Sequence, residues 1–170
     1  GGMATPESLR YMPLGLAYSG PAAGVSAAAF IAAQLSLDQA ISFDMGGTTT
    51  DVCLIVDGKA EVSSGRSLSE HPLRQPMVAV ESIGAGGGSI GWIDEMGLLQ
   101  VGPQSAGADP GPACYNKGGN DPTVSDANLV LGYLNPEGLI GGKLPLNYEN
   151  AFKSIEEKIA KPLNLSVEKA

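Results

Sequence analysis

The most constraining stretch of this chain is Phe43-Asp44-Met45-Gly46-Gly47-Thr48-Thr49-Thr50-Asp51-Val52. It joins a short apolar run, 40–43, to a second run rich in β-branched residues, 52–56, and both read as strands. The first strand delivers a carboxylate, Asp44, and the second opens beside another, Asp51. Only a tight turn fits between them. Two glycines let the backbone approach an anion with no Cβ in the way, and consecutive amides in such a turn form an anion-binding concavity. The threonine hydroxyls add donors. A hard cation such as Mg²⁺ takes carboxylate oxygens while keeping much of its water. Gly46, Gly47, Thr48 and Thr49 are therefore candidates for cradling a phosphate chain. Asp44 and Asp51 are the candidate carboxylates for the cation and for catalysis. The competing reading is an ordinary turn made of turn-forming residues.

Around this stretch the chain reads as follows. Residues 1–18 show no clear period. A helix rich in Ala, Gly and Ser begins at Ser19, its expected N-cap, and runs to about Leu35, with Pro21 in its first turn. Asp57-Gly58 signals a two-residue hairpin, and 59–63 returns as a third strand, giving an antiparallel meander. Residues 64–76 read as a polar connection holding His71, the only histidine. A strand over 77–83 leads into the glycine run. Residues 90–93 and 98–101 form a hairpin, 102–122 a long Gly/Pro loop, and 125–134 a short helix. The clearest amphipathic helix is 148–160, with Tyr148, Phe152, Ile155 and Ile159 on one face and Pro162 as its stop. A further helix start follows at 166–169. The expectation is one fragment, 1–170, of a longer protein. It comprises a helix and β-meander over 19–63, a Gly-rich insertion over 77–135 and the helix at 148–161.

The net charge of −8 and the lack of any basic stripe argue against a nucleic-acid partner. The apolar run 27–33 is too short to span a bilayer and has no basic flank, so no membrane segment or secretory signal is expected. The two cysteines, Cys53 and Cys114, form no Cys-x-x-Cys pair. They imply neither a zinc site nor a disulfide framework, which leaves a reduced, cytoplasmic protein as the expectation.

Two further motifs carry chemistry. Ile83-Gly84-Ala85-Gly86-Gly87-Gly88-Ser89-Ile90 is not a P-loop, because no Gly-Lys-Ser/Thr follows. It either connects two strands flexibly or brings backbone close to a nucleotide or substrate. The other motif runs from Gly102-Pro103-Gln104-Ser105-Ala106-Gly107-Ala108-Asp109-Pro110-Gly111-Pro112-Ala113-Cys114-Tyr115 to Thr123-Val124-Ser125-Asp126-Ala127-Asn128. Asp109 and Asp126 flank its loop and are candidates for a metal or substrate site, against plain turn and helix-start roles. Cys114 has no nearby histidine to activate it and reads as a packed loop thiol. Trp92 and Tyr115 read as packing residues rather than adenine platforms.

Taken in order with Ser19-Gly20-Pro21-Ala22-Ala23-Gly24, these motifs resemble the hydantoinase A/oxoprolinase family over about 20–134. The Asp-x-Gly-Gly-Thr turn resembles the phosphate loops of the actin-like ATPase superfamily. The resemblance implies an α/β, actin-like (ribonuclease H-like) ATPase lobe with a mixed sheet. It implies ATP and Mg²⁺ or another divalent cation as cofactors, and a partner subunit of the hydantoinase B type. The implied activity is ATP-dependent opening of a cyclic amide, a hydantoin or 5-oxoproline. Gly86, Gly87, Gly88 and Ser89 would then line the nucleotide or substrate cleft. Two other readings stay open: the ATP-using subunit of a ketone carboxylase, and a non-catalytic nucleotide-binding module. The chain departs from the family pattern in several places. It shows a single phosphate hairpin and lacks the C-terminal nucleotide-binding part. It carries Ser125 where Thr is usual and Asn116 where Gly is usual. The fragment alone is expected to be inactive.

Overall fold

The computed structural model describes residues 4–68, 71–139 and 141–170, and side chains outside 65–68 and 73–75. The chain divides into two compact units. One holds the residues up to Asp44 together with Asp51–Ile83, the other Met45–Thr50 together with Gly84–Ala170.

The first unit begins with α1 (Pro6–Tyr11), in a region where the sequence shows no period. Its signal is local: the Thr5 side chain accepts from Ser8 N, Pro6 sits at the first helical positions and Glu7 lies in the first turn. Helix α2 (Ser19–Gln34) spans the expected residues, but Ser19 is not its cap. Tyr18, at φ 58°, holds that position without a side-chain capping bond, and the 3₁₀ turn Pro13–Leu16 precedes it.

Strands β1 (Gln39–Met45), β2 (Thr50–Val56) and β3 (Lys59–Ala60) form the meander in that order. Asp57 and Gly58, both at positive φ (50° and 67°), make the hairpin turn. The third strand is shorter than expected. After Ala60 the chain enters β4 (Val62–Leu68), which pairs antiparallel with β5 (His71–Val78). The polar connection expected over 64–76 is thus largely a hairpin, with Ser69 and Glu70 outside the described residues. Apolar alternation could not reveal it, since backbone pairing alone defines this ladder. Pro72 and Pro76 are accommodated because both strands of a two-stranded sheet are edges. His71, expected to be solvated, is exposed, although it lies in a strand. β6 (Glu81–Ile83) pairs with β2.

Alternation sorts the meander's faces. Cys53, Ile55 and Ala40 pack with Val25, Ala28, Ala29 and Ala32 of α2, where small side chains let the helix lie close. The opposite face carries Ile41, Phe43, Leu54 and Val56, all exposed.

In the second unit β7 (Ser89–Ile93) pairs antiparallel with β8 (Leu99–Ser105), close to the expected hairpin but reaching further into the Gly/Pro segment. α3 (Val124–Val130) and α4 (Tyr148–Ile155) pack over two apolar clusters. Ile155 and Ile159 are buried as expected, whereas Tyr148 stays exposed and stacks on Phe152 at 6.1 Å. Pro162 does not stop the helix. α4 runs on through a π-helical turn, Glu156–Ala160, into a last turn, Lys161–Leu163. Pro162 occupies the start of that turn, where a missing N–H is tolerated. Asn164, at φ 54°, ends it. Among the described residues no helix is long and apolar enough to cross a membrane.

Ile55 is fully buried in the first unit's core. Ile55→Ala is expected to lower unfolding free energy by about 3 kcal/mol in chemical denaturation, whereas exposed Ile41→Ala should change it by less than about 1 kcal/mol.

Candidate phosphate-binding turn

The turn joining β1 to β2 is closed by Gly46 N donating to Thr49 O at 2.8 Å. Two more of its carbonyls are engaged from the glycine run: Gly87 N donates to Gly46 O at 2.8 Å and Gly88 N to Gly47 O at 2.7 Å. Thr50 is buried, and its hydroxyl donates to Ala85 O at 2.5 Å. The Gly46, Gly47 and Thr49 carbonyls of the turn are therefore satisfied from within the unit. Its donors are not: the amides of Gly47, Thr48 and Thr49 meet no acceptor among the described residues, and all three residues are exposed. Free consecutive N–H groups beside free hydroxyls suit an anion with several oxygens.

The same contacts revise the expected role of 86–89. Gly86 N donates to Ser89 Oγ (2.9 Å) and Ser89 N to Gly86 O (3.0 Å), while Gly87 and Gly88 donate to the turn. On the other side Gly87 O accepts from Ser125 N and Gly88 O from Ala106 N, each at 2.8 Å. With every one of these amides committed, Gly86, Gly87, Gly88 and Ser89 brace the turn instead of offering donors to a phosphate. The glycines are demanded by this close approach. A Cβ on Gly86 would stand 2.7 Å from Thr48 N, one on Gly87 2.7 Å from Ser125 Oγ, and one on Gly88 3.0 Å from Gly47 O.

The two carboxylates belong to the first unit. Asp44 is exposed and has no hydrogen-bond partner among the described residues. Opposite it, helix α2 presents Gly24, whose added Cβ would lie 3.8 Å from Asp44 Oδ2. Asp51 is half-buried, and its Oδ1 accepts from Ser82 Oγ at 2.5 Å. Both carboxylates line one cavity of about 340 Å³ with Pro21, Gly24, Ala28 and Ser42. The meeting of Ser82 with Asp51 and of Gly24 with Asp44 is not legible in the sequence, because nothing in their local pattern marks a partner tens of positions away.

Asp126 is fully buried and does not have the surroundings of a metal ligand. Its Oδ2 accepts from Ala113 N, Thr123 N and Thr123 Oγ1, and its Oδ1 from Cys114 N. No face remains for a cation. The carboxylate instead closes a capping box on α3 and ties down the end of the Gly/Pro segment. Beside it the buried Cys114 thiol is pushed up in pKa, first by desolvation and then by the charge of Asp126, which makes it a packed thiol and not a nucleophile. Asp109 is exposed and lines a different cavity, also in the second unit. Among the described residues no three His, Cys, Asp or Glu side chains are grouped to hold a metal.

The Hydantoinase/oxoprolinase family model matches residues 1–170, and the chain belongs to that family. Among individual proteins it is similar to caprolactamase subunit alpha of Pseudomonas jessenii, at 46% identity over all of this chain and 24% of that protein. It is similar also to the acetophenone carboxylase gamma subunit of Aromatoleum aromaticum, at 44% identity over 86% of this chain and 20% of that one. The crystal structure of the ATP-dependent caprolactamase from Pseudomonas jessenii superposes with a TM-score of 0.75 at 48% identity, over 89% of this chain and 22% of that one. The chain thus spans about a quarter or less of the length of these relatives.

Substituting the bracing glycines tests the brace. Gly86→Ala should lower stability by about 1–3 kcal/mol through overpacking against the Thr48 backbone. Gly84→Ala, where an added Cβ meets nothing within 4 Å, should change the denaturation midpoint little.

Proposed function

We propose that this chain is the phosphate-binding part of an actin-like ATPase lobe, within a longer cytoplasmic enzyme that uses ATP to open a cyclic amide. The observation that carries the reading is the exposed turn whose Gly47, Thr48 and Thr49 amides meet no acceptor among the described residues, while its Gly46, Gly47 and Thr49 carbonyls are engaged. The ATP-dependent caprolactamase at 48% identity supports the same direction.

In this reading Gly46, Gly47, Thr48 and Thr49 hold phosphate oxygens through amides and hydroxyls. Asp44, exposed and unpaired, and Asp51, with one oxygen beyond its bond to Ser82, fit a divalent cation bound largely through its water. Such a cation supplies charge neutralisation at the phosphates. An amide is a poor electrophile, and transfer of the γ-phosphoryl group to its oxygen converts that oxygen into a leaving group. Water then adds to the ring carbon, the C–N bond opens as the ring nitrogen takes up a proton, and a second water hydrolyses the resulting acyl phosphate to the carboxylate and phosphate. Phosphoryl transfer asks the protein mainly for positioning and electrostatic stabilisation, which a braced turn provides. The partner is a second subunit of the hydantoinase B type, in line with relatives that are named as subunits.

The acetophenone carboxylase relative favours a second reading, in which the phosphorylated oxygen is that of a ketone enolate and bicarbonate supplies the carbon acceptor. Turnover that requires both a ketone and bicarbonate would select it.

For the full-length protein, Asp44→Asn should reduce ATP turnover about 100-fold or more. Asp57→Asn, at the remote hairpin, should leave it unchanged. Wild-type turnover by the Asp44 variant would remove the carboxylate from the mechanism.

A further inference from the structure

Besides holding the glycine run, the third motif of the sequence helps line a cavity of about 600 Å³ in the second unit, within the size range of small-molecule sites. Ser105, Asp109, Gly119, Asn120, Asp121 and Lys158 contribute to its lining. We propose that this cavity binds the ring of a neutral cyclic amide. The assignment of ligand class rests on the reading of the protein as a cyclic-amide enzyme; the cavity and its polar groups do not.

The wall is preorganised. A Cβ on Gly119 would fall 2.1 Å from Gly111 O, and Gly111 itself sits at φ 77° with its added Cβ 2.8 Å from the Tyr115 ring. Two backbone segments therefore touch without side chains. Directly behind them Asp126 fixes Ala113, Cys114 and Thr123. A site whose shape is set by such contacts loses little entropy on binding.

Its polar groups match an amide edge. The Asp109 carboxylate, an acceptor only, and the Asn120 carboxamide, a donor and acceptor, have no partner among the described residues. A ring amide is held cis and presents its N–H and C=O on one edge. The N–H would donate to Asp109 and the C=O accept from Asn120 Nδ2. Lys158 and Asp121 neutralise each other at 2.6 Å, so Asp109 leaves the cavity with one net negative charge. That charge disfavours rings bearing their own carboxylate and selects for neutral ones. The cavity is also near the turn. Ala106 N donates to Gly88 O, and Gly88 N donates to Gly47 O. Two such hydrogen-bonded backbone steps amount to roughly 10 Å.

The test is calorimetric titration of the full-length protein with its partner subunit, without nucleotide, using ε-caprolactam, 2-pyrrolidinone and 5-oxoproline as probes. The neutral lactams should bind more tightly than 5-oxoproline. Asp109→Asn and Asn120→Ala should each weaken lactam binding about tenfold or more, with ADP affinity and the thermal midpoint unchanged. Lactam affinity unmoved in both variants, or no lactam binding by the wild type, overturns the site. Lactam binding that is lost in the variants, in a protein whose ATP turnover opens no ring, upholds the cavity and refutes the cyclic-amide hydrolase reading instead.

Discussion

Two backbone hydrogen bonds, Gly87 N to Gly46 O and Gly88 N to Gly47 O, determine most of what this chain can do. A turn of glycines and threonines has many conformations, and ordering each residue costs about 1–2 kcal/mol of backbone entropy. Strands β1 and β2 fix only its ends. The bonds from the glycine run fix its middle by occupying the Gly46 and Gly47 carbonyls and leaving the amides of Gly47, Thr48 and Thr49 unspent. The grouping of Met45–Thr50 with Gly84–Ala170, apart from the strands that carry the turn, expresses the same fact.

The bracing strand is itself held. Ser125 N and Ala106 N donate to its outer carbonyls, and Ser125 follows Thr123 in the capping box that Asp126 closes. One buried carboxylate therefore anchors the start of α3, the loop at Ala113 and Cys114, and the rear of the cavity that carries Asp109. Leaving several of its donors unpaired would cost about 1–3 kcal/mol each. The raised pKa of Cys114 is a by-product of that burial and charge.

Much of this was legible from residue order. The helix at α2, the hairpin at Asp57-Gly58, the β7–β8 pair and α4 follow from periodicity and turn chemistry, and the strand–turn–strand at 43–52 follows from residue type alone. What stayed hidden depends on partners distant in sequence. Gly86, Gly87, Gly88 and Ser89 read as ligand-facing because a glycine run signals close backbone approach. The sequence does not say that the backbone approached is the chain's own turn. Asp126 read as a candidate ligand because acidity is visible and burial is not. The β4–β5 hairpin was obscured by polar residues and prolines that carry no apolar alternation. α1 was missed although Thr5-Pro6-Glu7 spelled its start.

The claim that joins these parts is that the Gly47, Thr48 and Thr49 amides receive phosphate. A crystal structure of the full-length protein with Mg²⁺ and a non-hydrolysable ATP analogue tests it most directly. The account predicts phosphate oxygens within about 3.2 Å of those three nitrogens, with the Gly87 and Gly88 amides still on the Gly46 and Gly47 carbonyls. Phosphates seated elsewhere, with the turn's amides facing only water, or a glycine strand released from the turn to take the phosphate itself, would contradict it.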